Sequence, residues 1–205
     1  MRLNPESNTQ VPKKLVVITG SSGTGKSTLA VCLGKEFGYP IVCKDIYASI
    51  FPASYGDEYQ QLYRSDTHQK MREAIKILLS LGCSVIVDVV HSKEVKKPDW
   101  DGWIPWYTQV GKLYQAEVDF IRVIVTEKDQ RERLERRNSP FDADKLSSPE
   151  AWQRFQKEQP INIDTHPENG LIVWNSRPFA ETFAETKAFL LRPRPALSLV
   201  RSSLL

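Results

Sequence analysis

The segment KLVVITGSSGTGKSTLA, residues 14–30, decides the fold of this chain. Its first part, residues 15–19, is an apolar run rich in β-branched side chains, which is typical of a buried strand. A glycine-rich turn comes next, and after it apolar residues recur at spacings of three and four positions, which predicts a helix. The positions that carry this spacing are Leu29, Ala30, Leu33 and Phe37.

The turn has the spacing of a phosphate-binding loop, because residues 20–27 fit the pattern G-x-x-x-x-G-K-[ST]. Glycines let several backbone N–H groups approach one anion, and the N-terminus of the following helix adds partial positive charge. Lys26 supplies a full charge for the β- and γ-phosphates of ATP, and Ser27 offers a hydroxyl to the accompanying Mg²⁺. We expect ATP to contact Gly20, Ser21, Ser22, Gly23, Thr24, Gly25, Lys26, Ser27 and Thr28.

Length and composition indicate one domain. The 205 residues with 40% apolar content suffice for a single core, which we expect over residues 13–191 with a lid at about 128–160. Residues 1–12 and 192–205 are expected to be a flexible arm and a flexible tail. The net charge of +3 is too small to indicate nucleic-acid binding. Neither a signal peptide nor an apolar run near ~20 residues is evident, so we expect a cytoplasmic protein.

The order of the elements predicts an α/β fold. Strands are expected at residues 15–19, 40–43, 84–90, 118–125 and 171–174, and helices lie between them. This order predicts a three-layer sandwich, in which a five-stranded parallel sheet carries helices on both faces and a helical lid is inserted. Tryptophans recur at helical spacing in residues 99–115, which favours a helix packed on the sheet; a base-stacking platform is the alternative.

Two aspartates are expected at the ends of strands, where a parallel sheet forms its ligand crevice. Asp88 closes the apolar run SVIVDVV, and with Ser27 it is the predicted magnesium ligand. Asp45 follows residues 40–43 and is the candidate base that would accept a proton from a hydroxyl acceptor. A turn or helix-cap role is the alternative for Asp45.

The predicted lid is rich in charge. Residues 128–137 and 148–157 read as two charged helices around a polar turn, with little apolar content, which is typical of a mobile flap. Arg133, Arg136 and Arg137 are candidate catalytic clamps that would neutralise charge on a transferring phosphoryl group. Each of them, taken singly, is equally compatible with a solvated helix face.

Other phosphate-loop classes fit the remaining motifs poorly. A GTPase needs a guanine-reading N-K-x-D, whereas residues 126–129 read TEKD. A motor ATPase usually has a glutamate after its magnesium-binding aspartate, whereas Val89 follows Asp88. A phosphotransferase needs a carboxylate base and closing arginines, and both are present.

The combination of GSSGTGKST, a strand ending in KD, the strand SVIVDVV and the flap pattern ERLERRN...FDAD resembles the small P-loop kinases of the AAA_33 type. These are related to polynucleotide 5′-hydroxyl kinases, zeta toxins and chloramphenicol phosphotransferases. The resemblance implies ATP with Mg²⁺, Lys26 at the phosphates, Asp45 as the base and a flap arginine at the active site. Ala48, Pro140 and Phe141 stand where polynucleotide kinases carry basic residues, which weakens the nucleic-acid interpretation.

The favoured hypothesis is an ATP-dependent kinase that phosphorylates a hydroxyl of a small-molecule or nucleotide-like acceptor. The alternatives are a polynucleotide 5′-hydroxyl kinase or end-processing protein, and a nucleotide-dependent switch without an acceptor. The acceptor and the oligomeric state do not follow from the sequence, because acceptor pockets are built from variable side chains around a shared phosphate site.

Overall fold

The computed structural model describes residues 12–48, 57–90, 102–159 and 170–193. The predicted N-terminal arm up to residue 11, Trp100, and the tail from residue 194 lie outside the described residues. The strands are β1 (Lys13–Thr19), β2 (Ile41–Cys43), β3 (Val85–Val89), β4 (Ala116–Ile124) and β5 (Leu171–Trp174). The helices are α1 (Lys26–Phe37), α2 (Lys44–Ala48), α3 (Asp57–Ser80), α4 (Trp103–Tyr114), α5 (Glu127–Arg137), α6 (Pro140–Leu146), α7 (Pro149–Glu158) and α8 (Phe179–Leu191).

The five strands form one parallel sheet in the order β2-β3-β1-β4-β5, which confirms the predicted fold class. β1 is central, with Thr19 paired to Val89 of β3 and to Arg122 of β4. Because all strands run in the same direction, their carboxyl ends meet at one edge. The residues that directly follow β1, β2, β3 and β5 are therefore gathered at that edge.

Alternation along the strands divides the core between the two faces of the sheet. Leu15 and Val17 of β1 pack in one cluster with α3 and α4, whereas Val16 and Ile18 pack in the other with α1 and α8. β3 and most of β1 are buried on both faces, which explains why their sequences read as continuous apolar runs. None of the helices within the described ranges has the combination of length and apolar character needed to cross a membrane.

The aromatic residues of α4 belong to this core. Trp103 is only 2% exposed, and its ring meets that of Phe120 edge-on at 5.6 Å between centroids. Tyr107 packs on the same Phe120 ring at 6.4 Å. The prediction of a helix packed on the sheet is confirmed for these two residues, and neither offers a face for base stacking.

The predicted lid contains three helices rather than two, since α6 forms where the sequence indicated a polar turn. In the sequence, Thr126 with Asp129 resembles a capping box and predicts the start of a helix. Thr126 caps α5 in this way, by accepting a hydrogen bond from the Asp129 N–H at 3.1 Å. The sequence indicated little apolar content in the lid, but Leu134, Trp152 and Phe155 form a small buried core there. Leu134 comes from α5, whereas Trp152 and Phe155 come from α7. The sequence of either helix alone does not reveal that these side chains pack together.

An ionic cluster lies at the opposite edge of the sheet. Asp119 is 1% exposed and pairs with Lys14 Nζ at 3.4 Å and with Arg192 Nη1 at 3.0 Å. Glu117 also pairs with Lys14, at 2.9 Å. Arg192, the first residue of the predicted tail, is therefore tied to the domain, whereas the flexibility of residues 194–205 stays a prediction.

Asp119→Asn should lower the free energy of unfolding by about 2 kcal/mol, because Arg192 loses its carboxylate partner and Lys14 keeps only Glu117. Urea denaturation measures this loss. Glu132→Gln is the matched control, since it breaks the exposed Lys128–Glu132 pair and should cost less than about 1 kcal/mol. Equal losses in the two variants would show that the cluster contributes no more than a surface pair.

Candidate active site

A cavity of about 430 Å³ opens beside the turn after β1. Its lining comes from three parts of the chain: the predicted phosphate loop with the start of α1, the lid helix α5, and the segment from the end of β5 into α8. The lining residues are Gly23, Gly25, Lys26, Ser27, Thr28, Arg133, Arg137, Asn175, Arg177 and Phe179. The structure thus brings the predicted loop and two of the three predicted lid arginines to one cavity.

The loop backbone requires glycine where other elements approach it. Gly25 has φ +89°, and a Cβ there would lie 2.3 Å from Asn175 Nδ2. Gly23 has φ +82°, and its Cβ would lie 3.0 Å from Leu134 Cδ2 of the lid. Any larger residue would meet both an unfavourable backbone conformation and a neighbour. The glycines therefore permit α5 and the segment after β5 to close on the loop.

The start of α1 has unsatisfied positive character. Gly25 provides no side-chain cap, and the first turn of α1 contains no acidic residue. Lys26 is 7% exposed, and among the described residues no carboxylate pairs with its ammonium group. Buried cations normally have a counter-charge, and uncapped helix N-termini attract anions. The site is therefore electrostatically complementary to an anion such as a phosphate.

Asn175 and Arg133 bind the backbone of the loop. Asn175 Nδ2 donates to the Thr24 carbonyl at 2.8 Å, and Arg133 Nη1 donates to the same oxygen at 3.2 Å. Arg133 Nη2 donates to the Asn175 carbonyl. Both acceptors are neutral carbonyls, so these hydrogen bonds bring no counter-charge to the guanidinium beside Gly25. Arg133 is a fixed cation of the cavity wall rather than a free side chain.

The other two predicted arginines differ in position. Arg137 lines the cavity, and its Nε donates to Asp142 Oδ2 of α6 at 2.8 Å. Asp142 is 1% exposed and also accepts from Lys145 Nζ at 2.6 Å. Arg136 is exposed and is not among the residues that line the cavity.

Three residues that line the cavity were not predicted from the sequence, namely Asn175, Arg177 and Phe179. Asn175 follows β5 directly, and its N–H donates to the Ile124 carbonyl at the end of β4. Arg177 pairs with Glu185 of α8, and Phe179 begins that helix with 36% of its surface exposed. The rule that ligands bind beyond the carboxyl ends of strands applies to this segment as it does to Asp45 and Asp88.

Asp88 fits a magnesium ligand. It is 3% exposed, and its Oδ1 is buried without a hydrogen-bond partner among the described residues. Its Oδ2 accepts from Cys43 Sγ at 3.4 Å. Burial, followed by the charge of Asp88, raises the pKa of the Cys43 thiol to about 11, so this thiol is a protonated donor at neutral pH. One carboxylate oxygen thus remains for a cation, and Ser27 in the cavity wall adds a hydroxyl of the kind that Mg²⁺ binds.

Asp45 lies in the first turn of α2 and is exposed. It follows Cys43, which is paired with Asp88 in the sheet, and so belongs to the same edge as the phosphate loop. Neither Asp45 nor Asp88 is among the residues that line the 430 Å³ cavity. The chemical roles predicted for these residues stay predictions.

Solved structures of similar fold include several kinases. A provisionally assigned kinase from Chloroflexus aurantiacus J-10-fl is 18% identical with a TM-score of 0.65, covering 87% of this chain and 96% of its own. A sugar kinase from Janibacter sp. HTCC2649 is 19% identical with a TM-score of 0.58, at 87% and 95% coverage. The APS kinase of Mycobacterium tuberculosis, solved with AMPPNP and APS, is 15% identical with a TM-score of 0.58, at 87% and 98% coverage. At these identities the likeness establishes the fold.

No curated protein matches this chain. The sequence profile of the AAA_33 family, described as an AAA domain, matches residues 15–159, which extend from β1 through the last lid helix. This match spans well over half of the chain and includes both the phosphate loop and the lid. The chain therefore belongs to the AAA_33 family.

Proposed function

We propose that this protein is an ATP-dependent kinase that transfers the γ-phosphoryl group of ATP to a hydroxyl of a small-molecule or nucleotide-like acceptor. The observation that carries the proposal is the concentration of unneutralised positive charge on one cavity. Within the described residues Lys26 has no carboxylate partner, α1 begins without a side-chain cap, and the hydrogen bonds of Arg133 are to neutral carbonyls. The kinases among the structures of similar fold agree with this proposal.

The residues that line the cavity suit a nucleoside triphosphate. Its polar part, formed by the loop and Lys26, would take the phosphates. The part bounded by Arg137, Arg177 and Phe179 offers guanidinium planes and an aromatic face, which are suited to a base and its ribose. ATP would therefore lie with its phosphates towards β1 and its base towards α8.

Phosphoryl transfer needs a base, charge neutralisation and exclusion of water. Asp45 would accept the proton of the acceptor hydroxyl, whose oxygen forms a bond to the γ-phosphorus while the bond to the β–γ bridging oxygen breaks and ADP leaves. Lys26 and Arg133 would neutralise the charge on the phosphates. Mg²⁺, held by Ser27 and Asp88, would supply further neutralisation of the β- and γ-phosphates.

The lid arginine Arg137 has an arrangement that suits phosphate binding. It shares Asp142 with Lys145, so Asp142 keeps one cationic partner if Arg137 turns to a phosphate. Loss of the only partner of a buried carboxylate would be costly. This shared pairing supports Arg137, rather than Arg136, which does not line the cavity, as the second lid arginine at the nucleotide.

The proposal is tested by incubating the purified protein with Mg·ATP labelled at the γ-phosphate and a panel of hydroxyl acceptors. The panel contains nucleosides, sugars, aminoglycosides, chloramphenicol-like alcohols and 5′-hydroxyl DNA and RNA. We expect label on a small-molecule or nucleotide-like acceptor. Label on the oligonucleotides alone would favour a polynucleotide kinase, and ATP binding without transfer to any acceptor would favour a nucleotide-dependent switch.

Asp45→Asn should lower the rate of transfer by at least about a hundredfold, because the acceptor hydroxyl loses its base. The affinity for ATP should stay the same, since Asp45 is outside the lining of the phosphate cavity. Initial rates and calorimetric titration measure the two effects. Asp144→Asn, an exposed aspartate on α6, is the control. Retained turnover in Asp45→Asn would assign the base to another residue.

Lys26→Met should weaken ATP binding by about 10- to 100-fold, because a charge-assisted hydrogen bond to the phosphates is lost. Lys35→Met is the control, since Lys35 is an exposed lysine on the same helix. Calorimetric titration of both variants compares the affinities. The assignment of the phosphate site fails if Lys26→Met binds ATP as tightly as Lys35→Met does.

A further inference from the structure

The buried amide of Gln130 binds the backbone of the phosphate loop. Gln130 is fully buried in the lid helix α5, and its Nε2 donates to the Ser22 carbonyl at 2.6 Å and to Ser21 Oγ at 2.9 Å. Its Oε1 accepts from Gln156 Nε2 of α7 at 2.8 Å. The amide is thus fixed from both ends, by the loop and by the second lid helix.

The Ser22 carbonyl belongs to the same peptide unit as the Gly23 N–H. The peptide is planar and trans, so its C=O and N–H point in opposite directions. When Gln130 holds the Ser22 oxygen, the Gly23 N–H is turned away from the Gln130 amide. Gly23 lines the cavity, and its N–H has no hydrogen-bond partner among the described residues.

A second glutamine fixes the preceding peptide. The Ser22 N–H donates to Gln159 Oε1, at the end of α7, at 3.3 Å, and Ser21 Oγ donates to the same oxygen at 3.4 Å. The two glutamines therefore hold the N–H and the carbonyl of one residue, Ser22. Without these partners, a glycine-rich loop would have other peptide orientations of similar energy.

We propose that Gln130 is a positioning residue, which orients the Gly23 N–H towards a nucleotide phosphate and makes that orientation depend on the seating of the lid. The inference rests on the nucleotide site proposed above, but not on phosphoryl transfer. Gln130 itself does not touch the nucleotide. When α5 leaves the loop, the Ser22 carbonyl loses its partner and the Gly23 donor loses its fixed direction.

Two side chains of α5 next to Gln130 on the helix contact the following loop positions. Leu134 lies against Gly23, and Arg133 donates to the Thr24 carbonyl. One face of α5 therefore follows the loop from Ser22 to Thr24. Gln130 is the member of this face whose neutral amide binds a loop carbonyl, and it does not line the cavity itself.

The test uses the full-length chain with the probe Mg·AMPPNP. Gln130→Met keeps the length of the side chain and removes the amide, so we expect about tenfold weaker binding, as for a donor that is correctly oriented in about a tenth of the molecules. In a ¹H–¹⁵N spectrum of the wild type, Mg·AMPPNP should move the Gly23 amide resonance downfield. In saturated Gln130→Met this movement should be reduced, whereas that of the Lys26 amide should be kept.

The control is Gln153→Met, which changes an exposed glutamine of α7 and should behave as the wild type does. If Gln130→Met fails to fold, Gln156→Met decides the question, because it removes only the anchor of the Gln130 amide and should weaken binding about threefold with the same Gly23 signature. Wild-type affinity together with a wild-type Gly23 shift in the folded variant would overturn the inference and leave the nucleotide site intact. Failure of the wild type to bind Mg·AMPPNP would overturn both.

Discussion

A loop that binds phosphate through its backbone must direct its N–H groups to one side, and this requires partners for its carbonyls on the other side. In this protein the Ser22 and Thr24 carbonyls are bound by the amides of Gln130 and Asn175. The N–H groups of Gly23 and Gly25, which belong to the same two peptides, have no partners among the described residues. Because these carbonyls are bound and these N–H groups are not, the backbone of the loop is suited to accepting an anion without rearrangement.

The sheet and the lid place those two amides at the loop. Asn175 is placed by the end of β5, which pairs with β4 beside the central strand β1. Gln130 is placed by α5, whose Leu134 packs with Trp152 and Phe155 into the small core of the lid. The sheet and the lid therefore act on the same few peptides from two directions. Substitutions in the lid core should affect phosphate binding as well as stability for this reason.

The sequence predicted the parts of this arrangement that are local. The strand, loop and helix at residues 14–30 and the Thr126 cap depend on periodicity or on neighbours a few positions away, and they are confirmed. The parallel sheet was predicted from the order of the elements and is confirmed as well. The short helices α2 and α6 were missed, because five and seven residues are too few to show helical periodicity.

The long-range partners of the loop could not be predicted in the same way. Gln130 appears in the sequence as one more polar residue of a charged helix, and its bond to Ser22 spans 108 positions. Asn175 contacts Thr24 across 151 positions. No local pattern distinguishes a glutamine that orients a peptide from one that faces solvent. The aspartates and arginines were easier to identify as candidates. A charged side chain at a strand end or in a lid already suggests a role at a phosphate or a metal ion, even when its contacts are unknown.

The central claim is that the cavity binds a nucleotide through its phosphates. Calorimetric titration of the purified protein with the magnesium complexes of AMP, ADP and AMPPNP tests this claim most directly. The account predicts saturable one-to-one binding whose affinity rises with each added phosphate, since each phosphate gains contacts with the loop and Lys26. Affinities independent of the number of phosphates, or no saturable binding of AMPPNP, would contradict it.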